Sequence, residues 1–269
     1  MTTATAPMEI GTVTLIVNDL PKMADFYARA LGLVTLRGNR TKAVMGAGNR
    51  ALLRLIADPA APQHDRREAG LFHTAILMPD RATLGAWVRY ASAANIPVLG
   101  ASDHRVSEAI YLTDPERNGV EIYADRPRTA WTKPDGTIHM TTDPLDVPDL
   151  AAAATGPWKG APEGTTIGHV HLQVGDVQKA EAFYEGTLGF PVTAHYPGAA
   201  FYGAGGYHHH IATNVWNSRG AGPRSPATGL AAVEILADDA SLAALTARTG
   251  GTTALSDPWG TRITVKGKA

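Results

Sequence analysis

Three consecutive histidines, His208, His209 and His210, stand in the stretch YHHHIATN. An imidazole can bind a transition metal or transfer a proton near neutral pH, so the stretch could belong to a metal site or to a proton relay. Alternate side chains of a strand point to opposite faces. We therefore expect His208 and His210 to share one face, and His209 to point away toward the core or the solvent. The alternative is a half-exposed strand whose histidines have no chemical role.

Other candidate ligands are spread along the chain: His73 in GLFHTA, His169 in IGHVH and Glu121 in NGVEIY. The chain has ten histidines and no cysteine, so a metal site must use imidazole and carboxylate ligands. A histidine in an apolar strand is often only a core residue, and Glu121 could be an exposed strand residue. These residues form a site only if the fold brings them together.

The composition is typical of a globular chain with one or two cores, since 44% of its 269 residues are hydrophobic and 18% are charged. The net charge of -1 comes from mixed acids and bases, which argues against nucleic acid or anionic lipid as a partner. No apolar run approaches the ~20 residues of a membrane-spanning helix, and the stretch MTTATAPMEIG lacks the features of a signal peptide. We therefore expect a cytoplasmic protein that binds no membrane.

The two halves of the chain repeat each other. IGTVTLIVNDLPKMADFYARALGL, residues 10–33, aligns without a gap with IGHVHLQVGDVQKAEAFYEGTLGF, residues 167–190, and the same shift aligns GAG at 46–48 with GAG at 203–205. Each copy has an alternating apolar strand, an amphipathic helix that ends at Leu-Gly, and then short strands. This order predicts a βαβββ unit.

A related pattern follows each copy, so we predict an α+β fold made of four βαβββ modules. Two modules lie in the N-terminal part, residues 1–127, and two in the C-terminal part, residues 166–269. In chain order, modules 1 to 4 span residues 9–57, 70–126, 166–216 and 228–266. Residues 128–165 are rich in Pro, Gly and Thr, which indicates a long linker with one short helix.

The first strand, the following helix with Asp19 and Phe26-Tyr27, and its Leu-Gly end resemble the vicinal oxygen chelate superfamily of glyoxalases, extradiol dioxygenases and bleomycin-resistance proteins. The resemblance covers nearly the whole chain. GLFHTAILMPDR, VSEAIYLTDPERNGVEIYADRPRTAW, IGHVHLQV and GGYHHHIATNVW are more similar to bacterial catechol 2,3-dioxygenase-like proteins. The resemblance implies that two modules pair into a glyoxalase-like half-barrel around one metal site, with ligands on the first and last strands of each module.

The four modules do not offer equal ligands at these positions. Modules 2 and 3 supply residues that can bind a metal or move a proton: His73, Glu121, His169 and His210. Modules 1 and 4 supply residues that do not: Thr12, Leu53, Ala232 and Thr264. Pairing of module 2 with 3, and of 1 with 4, would give one complete set of two histidines and a carboxylate, as in non-haem Fe(II) oxygenases. We therefore predict His73, His169 and Glu121 as the ligands, with His171 as an alternative to His169.

The resemblance also implies catalytic residues. Extradiol dioxygenases have a His, an aliphatic-Tyr pair, Asp-Pro and the metal-binding Glu in this order, and the chain follows it at nearly that spacing with His104, Ile110-Tyr111, Asp114-Pro115 and Glu121. By this resemblance His104 and Tyr111 would hydrogen-bond the substrate oxygens. His210 would be the proton shuttle, with His208 lining the site beside it. The sequence departs from the family at Arg117, where Gly or Pro is usual.

The implied function is ring cleavage of a catechol-type aromatic diol by O2 at a mononuclear Fe(II), with Mn(II) as the other metal considered. One alternative is a glyoxalase-like isomerase or lyase in which His210 is a fourth ligand of Ni(II), Zn(II) or Mn(II). Another is a resistance-type protein that binds a planar ligand without catalysis. Exposed sheet edges in such folds often favour a homodimer. Six aromatic residues could line a binding groove, although we expect most of them in the core: Trp87, Trp131, Tyr196, Phe201, Tyr202 and Trp216.

Overall fold

The computed structural model describes residues 6–131 and 137–268. Within these residues the strands form two sheets with helices packed against them, which confirms the predicted α+β fold. The elements of modules 1 and 2 are β1 Met8–Val17, α1 Leu20–Leu31, β2 Val34–Gly38, β3 Lys42–Ala47, β4 Arg50–Ala57, β5 Gly70–Leu77, α2 Arg81–Ala93, β6 Gly100–Asp103, β7 Ser107–Thr113 and β8 Gly119–Asp125. The linker contains a short 3-10 turn and α3 Val147–Ala152. The elements of modules 3 and 4 are β9 Thr166–Gln173, α4 Val177–Glu181, β10 Val192–Tyr196, β11 Ala199–Tyr202, β12 Ile211–Asn214, β13 Gly229–Ala237, α5 Asp239–Arg248, β14 Ala254–Ser256 and β15 Arg262–Gly267.

The first sheet, which we call the outer-module sheet, combines modules 1 and 4 in seven strands with the order β14-β15-β13-β1-β4-β3-β2. The two modules meet where β1 pairs antiparallel with β13. In the described residues the fourth module has two strands after its helix, β14 and β15, instead of the predicted three. It is therefore a βαββ unit.

The second sheet, the central-module sheet, combines modules 2 and 3 in eight strands with the order β10-β11-β12-β9-β5-β8-β7-β6. At its middle β5 and β9 pair antiparallel and so join the two modules across the linker. Each of these strands also pairs in parallel with the last strand of its own module, β8 or β12. The sheet order confirms the predicted pairing of module 2 with 3 and of module 1 with 4.

The repeated helix begins and ends where the sequence signals it. At the start of α1 the Asp19 side chain accepts a hydrogen bond from the Lys22 backbone N–H, and Pro21 occupies the first turn, where its missing N–H costs nothing. Gly32 ends the helix at a φ of 66°, a left-handed conformation that glycine adopts without strain. In module 3 the helix α4 continues as a π-helix over Ala182–Thr187 before the same Leu-Gly end.

Two tyrosine–aspartate hydrogen bonds connect the sheets. Tyr27 of α1 donates to Asp114, in the turn between β7 and β8, over 2.9 Å. Tyr184 of module 3 donates to Asp257, in the turn between β14 and β15, over 2.8 Å. The two tyrosines occupy the same place in the repeat, so each bond joins modules that are neighbours in the chain but belong to different sheets. The linker helix α3 packs on α2. No helix in the described part of the chain is long and apolar enough to cross a membrane.

Candidate metal centre

Three strands of the central-module sheet bring the predicted metal ligands to one face. Ala75 on β5 lies opposite His169 on β9 and opposite Glu121 on β8. His73, two residues before Ala75, points to the same face because side chains alternate along a strand. All three ligand side chains are buried.

The ligand atoms form a tight triangle, which we call the ligand triangle. His73 Nε2 and His169 Nε2 lie 3.2 Å apart, and Glu121 Oε2 lies 3.0 Å from the first and 3.2 Å from the second. Octahedral bonds of about 2.1 Å put neighbouring ligand atoms about 3 Å apart. The triangle therefore fits three ligands on one face of an octahedron. This geometry leaves other positions open for substrates.

Burial and mutual attraction set the protonation of these groups. Burial opposes the charged form of Glu121, but the two histidines outweigh it and hold the pKa of the carboxyl well below its ordinary value. Burial lowers the pKa of His169 to about 4, although the carboxylate opposes this shift. A charged carboxylate and a neutral imidazole offer lone pairs to a cation rather than protons. The triangle thus has the donor set that a divalent metal needs.

His104 and Tyr111 form a hydrogen-bonded pair beside the triangle. The rings of Tyr111 and His73 have centroids 5.7 Å apart, and the Tyr111 hydroxyl lies 2.6 Å from His104 Nε2. His104 Nδ1 lies 2.6 Å from the carbonyl oxygen of Thr141, which can only accept, so His104 donates there and its Nε2 accepts the Tyr111 proton. Burial, reinforced by the charge of Glu121, raises the pKa of Tyr111 well above its ordinary value. The pair is a neutral phenol bonded to a histidine of fixed tautomer.

The ligand triangle lies in the wall of a cavity of about 570 Å³. Part of the cavity wall comes from the linker, because residues 138–142 line the cavity. They are held there by two backbone hydrogen bonds of 2.9 Å between Asp103 and Asp143. The wall combines apolar and aromatic side chains with several histidines and other polar groups, so a cavity of this size suits a small organic molecule that carries polar groups.

The six aromatic residues considered for a binding groove divide equally. Three line the cavity: Tyr196, Phe201 and Trp216. Three are buried in the interior: Trp87, Trp131 and Tyr202. The expectation that most lie in the core is therefore met by only half of them, and the cavity has more aromatic surface than the sequence indicated.

The cavity contains His209 rather than His210, which corrects the prediction from strand alternation. Residues 207–210 precede β12 and are not part of a strand, so alternation does not apply to them. The rings of His209 and His169 are in contact, with centroids 4.1 Å apart and planes inclined by 49°, and His209 lines the cavity. His210 is buried outside the cavity against two other aromatic rings. His208 is also buried and does not line the cavity.

His171, the alternative ligand, lies outside the ligand triangle but inside the cavity. Its Nε2 accepts a hydrogen bond of 2.9 Å from the Asn214 side-chain amide, and its ring centroid is 5.0 Å from that of His73. Burial, reinforced by neighbouring histidines, lowers the pKa of both His171 and His209 well below the ordinary value. Both are therefore neutral polar groups at the place where a substrate would bind.

The turn before Glu121 tolerates the residue that departs from the family pattern. Arg117 has a φ of 69°, in the left-handed region that favours glycine, which accounts for a Gly at this position in the family but not for a Pro, whose ring holds φ at negative values. The Asp114 carboxylate holds the turn by accepting the backbone N–H groups of Glu116 and Asn118, each over 2.9 Å. Glu121 consequently reaches the ligand triangle in spite of the substitution.

The comparison with protein families places the chain in one superfamily. The sequence model of the Glyoxalase/Bleomycin resistance protein/Dioxygenase superfamily matches residues 9–122 and 166–265. Each matched segment covers nearly all of two of the modules described above. The chain belongs to this superfamily, as the resemblance of its modules implied.

One relative is similar to the chain in sequence, and two solved structures are similar to it in fold. A catechol-2,3-dioxygenase of Bacillus subtilis (strain 168) is 41% identical to the chain over 237 residues, which are 86% of this chain and 83% of that protein. In sequence the chain is therefore catechol dioxygenase-like. Glyoxalase I from Zea mays has a TM-score of 0.59 at 16% identity and covers 96% of this chain and 92% of its own. The cppA protein from Streptococcus pneumoniae has a TM-score of 0.58 at 11% identity and covers 98% of this chain and 99% of its own. At these identities the two structures support the fold alone.

Proposed function

We propose that the protein is an extradiol dioxygenase, which opens the ring of a catechol-type aromatic diol with O2 at a mononuclear Fe(II). The observation that carries this proposal is the ligand triangle in the wall of a cavity that also holds His104 and Tyr111. The identity of 41% to a catechol-2,3-dioxygenase supports it. The iron would be held by His73, His169 and Glu121.

Two imidazoles and one carboxylate are the ligand set of non-haem Fe(II) oxygenases, and Mn(II) is the other metal that they suit. Bound iron would supply a redox-active centre with open positions for the diol and O2. One carboxylate neutralises only part of the charge of a divalent ion, so the site would keep a net charge of about +1. That charge favours a diol that binds as an anion.

His209 is suited to hold the proton that a catechol hydroxyl loses on binding. It is a neutral imidazole in the cavity wall, in contact with the ring of His169. An imidazole can accept a proton and later return it, which suits a reaction in which a diol first loses and then regains protons. We therefore transfer to His209 the shuttle role that the sequence assigned to His210.

Tyr111 and His104 would position the substrate oxygens. The Tyr111 hydroxyl uses its only proton toward His104, so its oxygen lone pairs are free to accept a hydrogen bond from a substrate hydroxyl. The raised pKa of Tyr111 keeps the phenol neutral throughout. The carbonyl of Thr141 holds His104 in the tautomer that this arrangement needs.

The glyoxalase-like alternative has less support. It requires His210 as a fourth ligand, but His210 is buried outside the cavity. A resistance-type protein that only binds its ligand would have no need of a ligand triangle, or of a tyrosine–histidine pair beside it.

Anaerobic reconstitution with Fe(II), followed by addition of catechol in air, tests the proposal. We expect oxygen uptake together with the yellow colour of a ring-fission product. His169→Ala should lose both the bound iron and the activity. Thr12→Ala is the matched control, because Thr12 occupies the place of His169 in module 1, and it should retain both. Iron-loaded wild-type protein that consumes no O2 with catechol or its alkyl- and carboxyl-substituted forms would refute the proposal.

A further inference from the structure

A chain of hydrogen bonds leads from His209 to the carboxylate of Asp125. His209 Nδ1 lies 2.8 Å from His208 Nδ1, and His208 Nε2 lies 2.9 Å from Asp125 Oδ1. His208 is fully buried, whereas 19% of the Asp125 side chain is exposed. The chain therefore runs from the cavity wall through the interior to a carboxylate near the surface.

The direction of each hydrogen bond follows from the carboxylate end of this chain. A carboxylate only accepts, so His208 donates its Nε2–H to Asp125. The Nδ1–Nδ1 contact needs one donor and one acceptor, and a His208 that carries a single proton, on Nε2, accepts the Nδ1–H of His209. His209 then keeps a bare Nε2. Because His208 occupies the Nδ1 edge of the His209 ring, the Nε2 edge is the one that remains for the cavity.

We propose that Asp125 and His208 are positioning residues that fix His209 in the tautomer with a bare Nε2, so that this nitrogen can accept a hydrogen bond from a substrate hydroxyl. This inference rests on the proposed function and adds two residues to it. Without the carboxylate, either nitrogen of His209 could carry the ring proton. A His209 protonated at Nε2 would donate there instead of accepting, so the tautomer decides whether the residue can accept a hydrogen bond from a substrate hydroxyl.

The packing around His208 preserves the donor and acceptor roles in this chain of hydrogen bonds. The ring centroids of Trp131 and Tyr207 lie 4.9 Å and 4.1 Å from that of His208, so water is excluded from it. Water could otherwise bond either nitrogen and allow both tautomers. The Tyr207 hydroxyl also donates to Asp125 Oδ1, over 3.1 Å.

Nitrogen NMR of histidine tautomers tests this inference without turnover. The sample is the full-length protein, labelled with heavy nitrogen in its histidines and loaded with Zn(II), which is diamagnetic and occupies the same imidazole and carboxylate ligands. The chemical shifts distinguish protonated from bare ring nitrogens, and the signals of His209 are those lost in His209→Gln. We expect wild-type His209 to be protonated at Nδ1 and bare at Nε2. A wild-type His209 protonated at Nε2, or at both nitrogens, would overturn the inference.

Two variants separate the positioning role from a merely structural one. Asp125→Leu removes the acceptor at the end of the chain, and His209 should then lose its single tautomer. Tyr207→Phe is the matched control, since it removes another bond to the same carboxylate and leaves His208 in contact with it. In this variant the tautomer should be that of the wild type. An unchanged His209 spectrum in Asp125→Leu would overturn the inference, and the wild-type spectrum decides it even if that variant does not fold.

Kinetics of the iron-loaded variants provide a second readout. Positioned acid–base groups contribute ~10²–10⁴ in rate, so Asp125→Leu should lower kcat by about tenfold or more. KM and iron content should stay close to those of the wild type, because neither residue is a metal ligand or lines the cavity. An unchanged kcat in Asp125→Leu would count against the inference. Inactive iron-loaded wild-type protein would instead refute the proposed function, and the NMR result would still decide the tautomer.

Discussion

Replacement of Glu121 by glutamine should weaken metal binding and remove the stability that the metal provides. The variant keeps the size of the side chain but replaces a charged ligand, at 3.0 and 3.2 Å from the two histidine nitrogens, with a weak neutral one. At a free Fe(II) concentration of about 100 times Kd, binding stabilises the fold by about 2.7 kcal/mol. Mutation of residues that only hydrogen-bond a metal ligand costs roughly 10–100-fold in metal affinity. Loss of a direct ligand should therefore cost at least about 100-fold. About 0.4 kcal/mol would then remain at the same Fe(II) concentration.

Anaerobic thermal unfolding with and without Fe(II) measures this difference. For a chain of this size 1 kcal/mol corresponds to roughly 2–4 °C, so Fe(II) should raise the Tm of the wild type by roughly 5–10 °C and that of Glu121→Gln by about 1 °C. Thr264→Ala is the control, because Thr264 occupies the place of Glu121 in module 4, and it should show the wild-type shift. An equal Fe(II)-induced shift in Glu121→Gln and in the wild type would refute the assignment of Glu121 as a ligand.

Three further predictions concern single positions. Tyr111→Phe should keep its iron but lose about 100-fold or more in kcat, because the hydroxyl bonded to His104 is missing. Metal analysis and steady-state kinetics measure the two quantities. Loss of iron in this variant would contradict the prediction. Gly168→Ala should destabilise the fold by roughly 1–3 kcal/mol in urea denaturation, because the added Cβ would overlap the hydroxyl of the buried Tyr123. Unchanged stability would contradict the close packing of Tyr123 on Gly168. Burial raises the pKa of the Asp114 carboxyl from 3.8 to about 6, outweighing its hydrogen bonds. The pKa of Asp114 is thus higher in the folded than in the unfolded chain. The protonated group therefore stabilises the fold below about pH 4, and this contribution to the unfolding free energy is lost as the pH rises through about 6. The unfolding free energy of the wild type relative to Asp114→Asn should therefore fall by up to roughly 3 kcal/mol between about pH 4 and pH 7, and a constant difference would show that the pKa is not raised.

The pairing of modules could be predicted because it depends on a repeat and on the residue types at matching positions. The repeat aligns His169 with Thr12, so one half of the chain has a ligand where the other has none. Only the pairing of the two central modules collects a complete ligand set, and the sheet order confirms that pairing. The ligands lie on strands, and strand alternation then fixes the face to which they point.

The histidine run could not be predicted in the same way, because it lies outside regular structure. It follows Gly205-Gly206, and both glycines have positive φ, so the chain turns before β12 begins. This glycine pair was the signal that strand alternation should not be applied to residues 207–210. The linker segment 138–142 has no periodic pattern either, so its position over the cavity depends on tertiary contacts such as those of Asp103 with Asp143.

Isotope labelling tests most directly whether the cavity performs extradiol ring cleavage. Iron-loaded protein would convert catechol under dioxygen labelled with the heavy oxygen isotope, with immediate mass spectrometry of the product. We predict that both labelled atoms enter one product, a hydroxymuconic semialdehyde. In this product the broken ring bond is the one next to the two hydroxyl-bearing carbons, not the bond between them. A product cleaved between the hydroxyl groups, or catechol left unchanged by protein with full iron occupancy, would contradict the proposed function.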